Sequence, residues 1–519
     1  MIARDAHRPP RIETDGPLDH ARLPALLGEA IAAGGPAFLP AQRWFGDKDR
    51  RIDRVGAGDI AVVAVGPDVY ALVVAAVHFI DGTTATYFLP LVVTLEPLPD
   101  EQTLAVLAVD GDAWRAVDAL LLSRFRDWLL ARIADGAPIE SQSSVFVFGT
   151  GSELGTYLAA ARTGTSRVVA GEQSNTSVIY GDAAILKVFR RLQPGLNPDV
   201  EIGRVLTERT GFRHVPPLLA TAEYRIGGAA DTPGDSIAML QAFVPSRGDA
   251  WEATLSLLDR VVRDGLDRVD DPWEQDAATL GRRTGQLHVA LAGFTDDPAF
   301  SPDEVTAEDT EEWVARTVGA AERQAGALAG LQGRLPAASA AAIERLQLDA
   351  ATVGRRVAGY RGLVGTAKIR VHGDFHLGQV LRTLDGDVVL LDFEGEPARP
   401  VDQRRRKLPP LVDAAGLLRS FRYARAAALR AIPAEVIDQG AERLAEWERR
   451  VRMAFLDAYR AEVALSPVRL VPDDRAAFDA ALFAWEFDKA VYELGYEMSN
   501  RPDWLDIPIA TLVEETVVG

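Results

Sequence analysis

The pattern of apolar residues changes from strand-like to helix-like at the segment Pro245-Ser246-Arg247-Gly248. Upstream of it, short runs rich in Val, Ile and Tyr predict β-strands, interrupted by a helical pattern over about residues 199–210. Downstream, amphipathic helical patterns continue to the end, except at residues 368–391, which combine strand-like runs with a loop. Asp249 is a good helix N-cap, and Glu252 follows it three residues later. The pattern predicts a β-rich part, a hinge and a mainly helical part. The strands predicted upstream are residues 168–170, 177–180, 184–189 and 237–243.

Residues 1–135 are predicted to form a separate, mostly β unit at the N-terminus. Helices are predicted over residues 23–33 and about 117–133, where apolar side chains recur at helical spacing. The apolar stretch 60–80 has the length of a membrane span, but the turn signal Gly66-Pro67-Asp68 divides it and favours a hairpin of buried strands. The strands predicted here are residues 60–65, 69–79 and 85–95.

Composition restricts the class of protein. A chain of 519 residues has room for about three domains of roughly 150 residues, which we predict at 1–135, 136–245 and 246–519. The net charge of −19 argues against nucleic acid and anionic membranes as partners, since both attract basic surfaces. The chain has no cysteine, which excludes disulfides and thiolate catalysis. The charged N-terminus does not read as a signal peptide, so a cytoplasmic protein is expected.

The strongest functional signal is the segment His372-Gly373-Asp374-Phe375-His376-Leu377-Gly378-Gln379, followed by an apolar run that ends at Asp392. Phosphoryl transfer depends on positioning and charge neutralisation, so it needs a carboxylate at the acceptor hydroxyl and oxygen ligands for metal ions. Asp374 fits the first role, while Gln379, five residues on, and Asp392 fit the second. The alternatives are turn residues after strands, or zinc at His372 and His376. The glycines argue against the helix that such zinc spacing needs, and no third ligand is evident.

A β-rich part, a hinge and a helical part with a short β insert are the layout of the protein-kinase fold. We therefore predict an α+β, bilobal, protein-kinase-like fold with ATP and Mg²⁺ as cofactors. Lys187 stands in strand 184–189, where a lysine that reaches the phosphates is expected. Glu201 is its predicted ion-pair partner, with Glu208 as an alternative. The predicted nucleotide contacts are completed by Ser174 and Asn175 in the loop 171–177, which also reads as an ordinary hairpin turn, and by Met239, Gln241 and Phe243 at the adenine.

The motif H-G-D-F-H-L-G-Q and the segment D-F-E-G-E-P-A-R-P at residues 392–400 resemble the actinobacterial glucosamine kinase and maltokinase group of aminoglycoside phosphotransferase-like kinases. Gln42-Arg43-Trp44-Phe45-Gly46 resembles the N-terminal signature of that group, and residues 500–504 resemble its C-terminal end. The resemblance implies a cap domain packed on the small lobe and transfer of the ATP γ-phosphate to a free sugar. Glu394 replaces the glycine of the protein-kinase D-F-G triplet, which adds it to the candidate metal ligands.

The acceptor site is expected on helices of the C-terminal part. Trp485, Glu486, Lys489, Tyr492 and Glu493 form one helical stripe, in which an aromatic ring and carboxylates suit a sugar. The alternative is an amphipathic helix whose tryptophan packs in the core. The residues predicted to bind the acceptor are His376, Asp413, Arg419, Trp485, Glu486 and Lys489. The basic run 404–407 is expected to be solvated or paired with acidic residues, and residues 42–48 to pack between domains.

A small-molecule sugar kinase is the predicted function, with glucosamine favoured and glucosamine 6-phosphate as its product. Glu486, Glu493, Asp413 and Glu394 supply carboxylates for an ammonium group, which uncharged maltose lacks. The alternatives are a maltokinase that forms maltose 1-phosphate, an aminoglycoside antibiotic phosphotransferase, and a pseudokinase scaffold that binds nucleotide. The last of these is disfavoured, because pseudokinases usually lack one of the residues that match Lys187, Asp374, Gln379 and Asp392 here.

Overall fold

The computed structural model describes residues 8–14, 18–19, 21–169, 174–227, 234–269, 272–330, 343, 346–397, 399–432 and 437–517. The chain divides into two compact units. The first consists of Met1–Arg209 and Pro216–Val244, and the second of Thr210–Val215 and Pro245–Gly519. The predicted cap and small lobe thus lie in one unit, and the predicted large lobe makes up most of the other.

The N-terminal region is a twisted sheet covered by a helix. Its strands follow the order β1-β6-β7-β5-β3-β4-β13, with β2 paired to β3 and with β13 supplied by Arg191–Leu192. The pairing of β2 with β3 confirms the hairpin predicted for the apolar stretch, and Gly66 takes a left-handed φ of 61° at its turn. The bounds are β1 Arg11–Thr14, α1 Leu23–Ala41, β2 Ile52–Val65, β3 Asp68–Phe79, β4 Thr84–Phe88, β5 Leu91–Thr94, β6 Thr103–Val109 and β7 Asp112–Asp118.

Helix α1 extends beyond the predicted residues 23–33 and continues past Pro36 to Ala41. Among the described residues it is the one helix with the length and apolar composition to cross a membrane. Its side chains Leu27, Ile31 and Phe38 are fully buried in a cluster with residues of the sheet. In this structure it is therefore a core helix of the N-terminal region.

The helix predicted at about 117–133 begins later than its apolar pattern. Val117 still belongs to strand β7, where it pairs with β5 and β6. The Asp118 side chain then accepts a hydrogen bond of 3.1 Å from the Leu120 amide and turns the chain. Helix α2 follows at Ser123–Asp135. Apolar side chains on both sides of that turn produced the misleading periodicity.

A second sheet of the first unit contains the strands predicted for the small lobe, in the order β10-β11-β12-β15-β14-β9-β8. Helix α3 was missed, because its Ala-rich sequence carries few large apolar residues. The bounds are β8 Ile139–Glu140, β9 Ser144–Thr150, α3 Leu154–Thr163, β10 Ser166–Val168, β11 Asn175–Tyr180, β12 Ala184–Phe189, β13 Arg191–Leu192, α4 Pro198–Arg209, β14 Leu218–Ile226 and β15 Asp235–Ala242.

The cap and the small lobe share a core. Leu186 and Val188 of β12 belong to the same buried cluster as Phe125 and Leu129 of α2. A buried polar link adds to this cluster. Asp118 of the cap accepts hydrogen bonds from the Trp44 indole at 3.2 Å and from Arg190, at the end of β12, at 2.7 Å. The position of Trp44 agrees with the packing role predicted for residues 42–48.

The second unit is mainly helical. The Asp249 side chain accepts a 2.8 Å hydrogen bond from the Glu252 amide, as predicted for the first helix. The segment predicted as a hinge begins at Pro245, where the second unit resumes, and it contains strand β16, which pairs with β19. The helices are α5 Ala250–Asp264, α6 Trp273–Leu291, α7 Ala307–Gly330, α8 Ala350–Arg356, α9 Val401–Arg404, α10 Leu411–Ala431, α11 Ile437–Val463, α12 Arg475–Asn500 and α13 Asp506–Val517. The strands are β16 Ser246–Asp249, β17 Asp303–Glu304, β18 Ala367–Lys368, β19 Val380–Thr383 and β20 Val388–Leu390.

Candidate active site

The loop that carries Asp374 is held by a buried carboxylate from α10. Asp413 accepts hydrogen bonds from the backbone amides of His372 at 2.8 Å and Gly373 at 2.9 Å. Gly373 takes a left-handed φ of 82°, which glycine adopts without strain. His288 of α6 lies 3.0 Å from the same carboxylate. Asp413 therefore braces the loop and is itself buried, so, contrary to prediction, it does not line the cavity that opens beside Asp374.

Burial disfavours the charge on Asp413, but hydrogen bonding to His288, the charges of the two histidines and the Gly373 amide outweigh it. Together they hold the pKa of Asp413 below its ordinary value. Helix α10 can approach the loop closely at Gly416 because glycine has no side chain. A Cβ at this position would lie 2.7 Å from the carbonyl oxygen of Phe375. The loop conformation thus depends on the ionised carboxylate of Asp413 and on the absence of a side chain at Gly416.

Replacing Asp413 with asparagine is expected to lower the free energy of unfolding by about 1–3 kcal/mol, because the new amide nitrogen cannot accept from a buried N–H. Urea denaturation measures this loss. Asp402→Asn, at an exposed position of α9, should change the free energy of unfolding by less than about 0.5 kcal/mol. Equal stability of the two variants would contradict the bracing role.

Asp374 projects from this loop with its side chain partly exposed. Its Oδ1 accepts a hydrogen bond of 3.1 Å from Lys489 Nζ of α12. Burial opposes the charge on Asp374, but Lys489, together with His376 and His372, outweighs it and keeps the pKa of Asp374 below its ordinary value. The carboxylate is therefore ionised at neutral pH.

The remainder of the loop brings together the predicted metal ligands. Gln379 Nε2 donates to Asp392 Oδ2 at 3.0 Å, and the Gln379 carbonyl accepts from the Leu391 amide at 2.9 Å. Asp392 takes a left-handed φ of 65°, unusual for a residue with a side chain. The amide oxygen of Gln379 and the carboxylates of Asp392 and Glu394 are hard oxygen ligands of the type that suits Mg²⁺. The side chains present thus fit the predicted metal.

The histidines of the loop have structural partners. His372 Nε2 lies 2.8 Å from the Leu391 carbonyl oxygen, and His376 Nδ1 accepts from the Gly378 amide at 3.1 Å. Through these bonds both histidines brace the loop. In the basic run, the Arg404 side chain is 3% exposed and donates to the Glu394 carbonyl oxygen at 2.8 Å. It also lies 3.8 Å from the Glu394 carboxylate, which agrees with the predicted pairing with acidic residues. Lys407 pairs with Asp303 at 3.0 Å, as expected for a surface ion pair.

A cavity of about 410 Å³ opens beside Asp374 within the second unit. Its wall combines the loop with α10 and α12, and aromatic rings and carboxylates alternate along it. The lining residues are Trp251, Asp374, His376, Gly378, Pro397, Gly416, Ser420, Tyr423, Lys489, Tyr492, Glu493, Tyr496, Glu497 and Arg501.

Carboxylates in the cavity wall are anchored by arginines. Glu493 accepts from Arg419 Nε at 3.1 Å, and the Arg419 side chain is almost completely buried behind it. Glu497 accepts from the Tyr423 hydroxyl at 3.2 Å and from Arg501 Nε at 3.0 Å. Burial raises the pKa of Glu497 despite the neighbouring Arg501. Arg419, predicted to contact the acceptor, instead positions a carboxylate that does line the cavity.

Trp485 and Glu486 do not line this cavity. The Trp485 ring is 3% exposed and packs against Tyr360 and Trp313, with ring centroids 4.7 and 5.3 Å away. Glu486 forms an ion pair with Arg452 at 2.8 Å. Of the predicted stripe, only its C-terminal members face the cavity, and Tyr496 and Glu497 extend it by another turn.

The predicted nucleotide residues lie on the small-lobe sheet of the first unit. Lys187 pairs across the sheet with Ser177 and Met239, on the face opposite Leu186 and Val188 of the same strand. Its Nζ lies 3.1 Å from Asp199 Oδ2, in the first turn of α4. Asp199 was missed, although acidic residues in a first helical turn were a visible signal. Glu201 is buried on the same helix, whereas Glu208 is exposed.

The other predicted nucleotide contacts differ in exposure. Ser174 is exposed and Asn175 begins β11, while residues 170–173 of the predicted strand and loop lie outside the described residues. Gln241 and Phe243 are half-buried. Met239 is fully buried in a cluster with Phe189, Val200 and Leu218, so no surface of it is open to a ligand in this structure.

Comparison with known proteins identifies relatives of the chain. The family model for the maltokinase N-terminal cap domain matches residues 38–120. A glucosamine kinase of Streptacidiphilus jiangxiensis is 30% identical over 369 residues, which cover 70% of this chain and 76% of the relative. The chain belongs to the glucosamine kinase family. A second member of the family, from Mycolicibacterium smegmatis, is 28% identical over 67% of this chain and 78% of its own length.

Solved structures of glucosamine kinases resemble the present one. A glucosamine kinase in complex with glucosamine, ADP and inorganic phosphate matches with a TM-score of 0.62 and 23% identity, over 94% of this chain and 98% of that chain. Another crystal form of a glucosamine kinase matches with a TM-score of 0.62 and 24% identity. This likeness confirms the predicted fold class, and the family membership confirms the resemblance seen in the motifs.

Proposed function

We propose that this chain phosphorylates glucosamine with ATP and forms glucosamine 6-phosphate. The observation that carries the proposal is the cavity in which Asp374 and the carboxylates of Glu493 and Glu497 lie together. One carboxylate serves the reacting hydroxyl, while the others can bind an ammonium group through charge-assisted hydrogen bonds. Membership of the glucosamine kinase family supports the same substrate.

In the proposed reaction, the 6-hydroxyl oxygen forms a bond to the γ-phosphorus, and the bond from that phosphorus to the β–γ bridging oxygen breaks. ADP departs, and the hydroxyl proton passes to Asp374 and then to solvent. A loose transition state needs little proton abstraction before the phosphoryl group moves. The low pKa of Asp374 is compatible with that, because its main task is to orient the hydroxyl.

Lys187, Gln379, Asp392 and Glu394 have the remaining roles in the proposal. Lys187 contacts the phosphates of ATP, while the other three hold Mg²⁺ through oxygen atoms. The bound metal supplies charge neutralisation at the phosphates. Glu394 is already fixed at its backbone by Arg404.

The sugar ring is proposed to lie against the aromatic part of the cavity wall. Tyr492 and Tyr496 stack with ring centroids 6.4 Å apart, one helical turn from each other. Glu493, between them in sequence, keeps its orientation through Arg419, so the ammonium meets a carboxylate that is already positioned. N-acetylglucosamine should be excluded, since acetylation removes the charge and adds bulk.

The proposal is tested by measuring ADP release with glucosamine, glucose, N-acetylglucosamine, maltose and kanamycin as acceptors. We expect the highest kcat/KM with glucosamine. A higher kcat/KM with maltose or kanamycin would replace the proposal with the maltokinase or the antibiotic phosphotransferase alternative. ATP binding without turnover of any acceptor would favour a scaffold.

Glu493→Gln is expected to reduce kcat/KM for glucosamine by about 10–100-fold, because a charge-assisted hydrogen bond to the ammonium is lost. The kcat/KM for glucose should change much less, so the gap between the substrates should narrow. Glu486→Gln is the matched control, since Glu486 lies on the same helix but pairs with Arg452 outside the cavity. Glu493 would be removed from acceptor recognition by an equal loss of kcat/KM for glucosamine and glucose. The same conclusion would follow if the difference in kcat/KM between the two sugars narrowed only in Glu486→Gln.

A further inference from the structure

Lys489 connects the Asp374 carboxylate to a second, deeper carboxylate. Its Nζ donates to Asp374 Oδ1 at 3.1 Å and to Glu396 Oε1 at 2.8 Å. Glu396 is 5% exposed, and Arg399 holds its other oxygen. Lys489 thus stands between an anchored carboxylate and the predicted catalytic one.

The backbone end of the Lys489 side chain is also fixed. Lys489 lies one helical turn after Trp485, whose ring is buried between Tyr360 and Trp313. Its Nζ lies 4.8 Å from the centre of the Tyr492 ring, which restricts the side chain further. A long lysine side chain ordinarily loses considerable rotamer freedom when it is held in place. Here the helix core and Glu396 restrict most of that freedom before any substrate binds.

We infer that Lys489 and Glu396 form a bridge that positions the Asp374 carboxylate and leaves its Oδ2 for the acceptor hydroxyl. The inference rests on the proposed phosphoryl transfer and adds a role that acts through Asp374. Asp413 fixes the backbone of the loop, and the bridge fixes the side chain that the loop presents. A carboxylate held at one oxygen can rotate little, so the acceptor hydroxyl meets a single orientation of it.

The bridge also sets the electrostatics of Asp374. The groups that act most directly on this carboxylate are Lys489 and Tyr492 from α12, and His376 and His372 from its own loop. The other charged residues that line the cavities next to it are Arg316, Glu396, Arg399, Arg404, Asp488, Glu493, Glu497 and Arg501. Burial lowers the tendency of Lys489 to stay charged, but Glu396 and Asp374 outweigh it and raise the pKa of Lys489. The lysine is therefore a permanent cation, and its removal must raise the pKa of Asp374.

The experiment compares Lys489→Met and Lys489→Arg with wild type, using glucosamine and ATP. Lys489→Met should lower kcat by about 10–100-fold and leave both KM values within about threefold. The acidic limb of its kcat profile should move to higher pH by about one unit, because an ionised Asp374 loses its nearest cation. The glucosamine ammonium does not titrate in that range, since amines of this type stay protonated below about pH 6. Lys489→Arg should recover part of kcat and the wild-type limb.

Lys368→Met is the matched control, because Lys368 forms a lysine–aspartate pair of similar exposure with Asp309. Thermal unfolding of each variant separates a loss of stability from a loss of kcat. If Lys489→Met does not fold, Lys489→Gln is judged by the same criteria. A raised KM for glucosamine with unchanged kcat would make Lys489 an acceptor ligand and overturn the inference, as would an unmoved acidic limb. Wild-type turnover of glucosamine tests the proposed function separately.

Discussion

Replacing Asp374 with asparagine is expected to reduce kcat by about 10²–10⁴-fold. Asparagine keeps the shape of the side chain but has no carboxylate to accept the hydroxyl proton. If the asparagine amide oxygen accepts the hydrogen bond from Lys489, the amide nitrogen faces the acceptor hydroxyl and cannot accept a hydrogen bond from it. ATP binding should be retained, because Asp374 is not among the predicted nucleotide or metal ligands. Steady-state ADP release gives kcat, and calorimetry gives the affinity for ATP.

The control is Asp309→Asn, which removes the same charge from a lysine pair elsewhere in the unit. Lys368 donates to Asp309 at 2.7 Å, and the two aspartates have side-chain exposures of 19% and 24%. A general effect of breaking a half-buried ion pair would appear equally in both variants. Turnover of Asp374→Asn within about threefold of the control would remove Asp374 from the mechanism.

The geometry of the loop that carries Asp374 could be predicted from the sequence because its signal is local. Asp374 and Gln379 are five residues apart, and Asp392 lies two residues after the end of strand β20. The β19–β20 hairpin returns the chain, so Gln379 and Asp392 meet in space. The geometry of such a motif can be predicted from its spacings, since each spacing corresponds to a turn or a strand. The strand of Lys187 is similarly local and has the predicted bounds, Ala184–Phe189.

The bracing role of Asp413 could not be predicted, because its partners are distant along the chain. The loop amides lie 41 and 40 residues before it, and His288 lies 125 residues before it. No spacing in the sequence indicates that α6 and α10 converge below the loop. The sequence shows only an aspartate among apolar residues on a predicted helix, and that pattern is equally compatible with a side chain that lines a cavity.

Helix α12 shows how a correct helical periodicity can still mislead. The stripe from Trp485 to Glu493 does follow one side of α12, as predicted. Which part of that stripe reaches the cavity depends on the neighbours of the helix. Tyr360 and Arg452 enclose its N-terminal part, whereas the part near Glu493 is left open beside the loop. Helical spacing identifies which residues share a face of the helix. It does not identify which part of that face is covered by other elements of the fold.

Replacing Asp392 with asparagine is expected to reduce kcat by more than about 10³-fold, because it removes a charged ligand from the proposed Mg²⁺ site at the phosphates. Asparagine is the most selective substitution at this position. Asp392 has a left-handed φ of 65°, which asparagine tolerates better than alanine does. The substitution therefore removes charge with little change in the backbone. Steady-state turnover over a Mg²⁺ titration provides the measurement.

Excess Mg²⁺ should restore little of the lost turnover, since a neutral amide is a poor substitute for a carboxylate at a divalent cation. Asp385→Asn is the control: it makes the same change in the exposed turn between β19 and β20, away from the Gln379 amide. That variant should retain turnover within about threefold of wild type. Full rescue of Asp392→Asn by Mg²⁺ would mean that Asp392 only adjusts metal affinity. Unchanged turnover at every concentration would exclude it from the metal site and leave Gln379 and Glu394 as the candidate ligands.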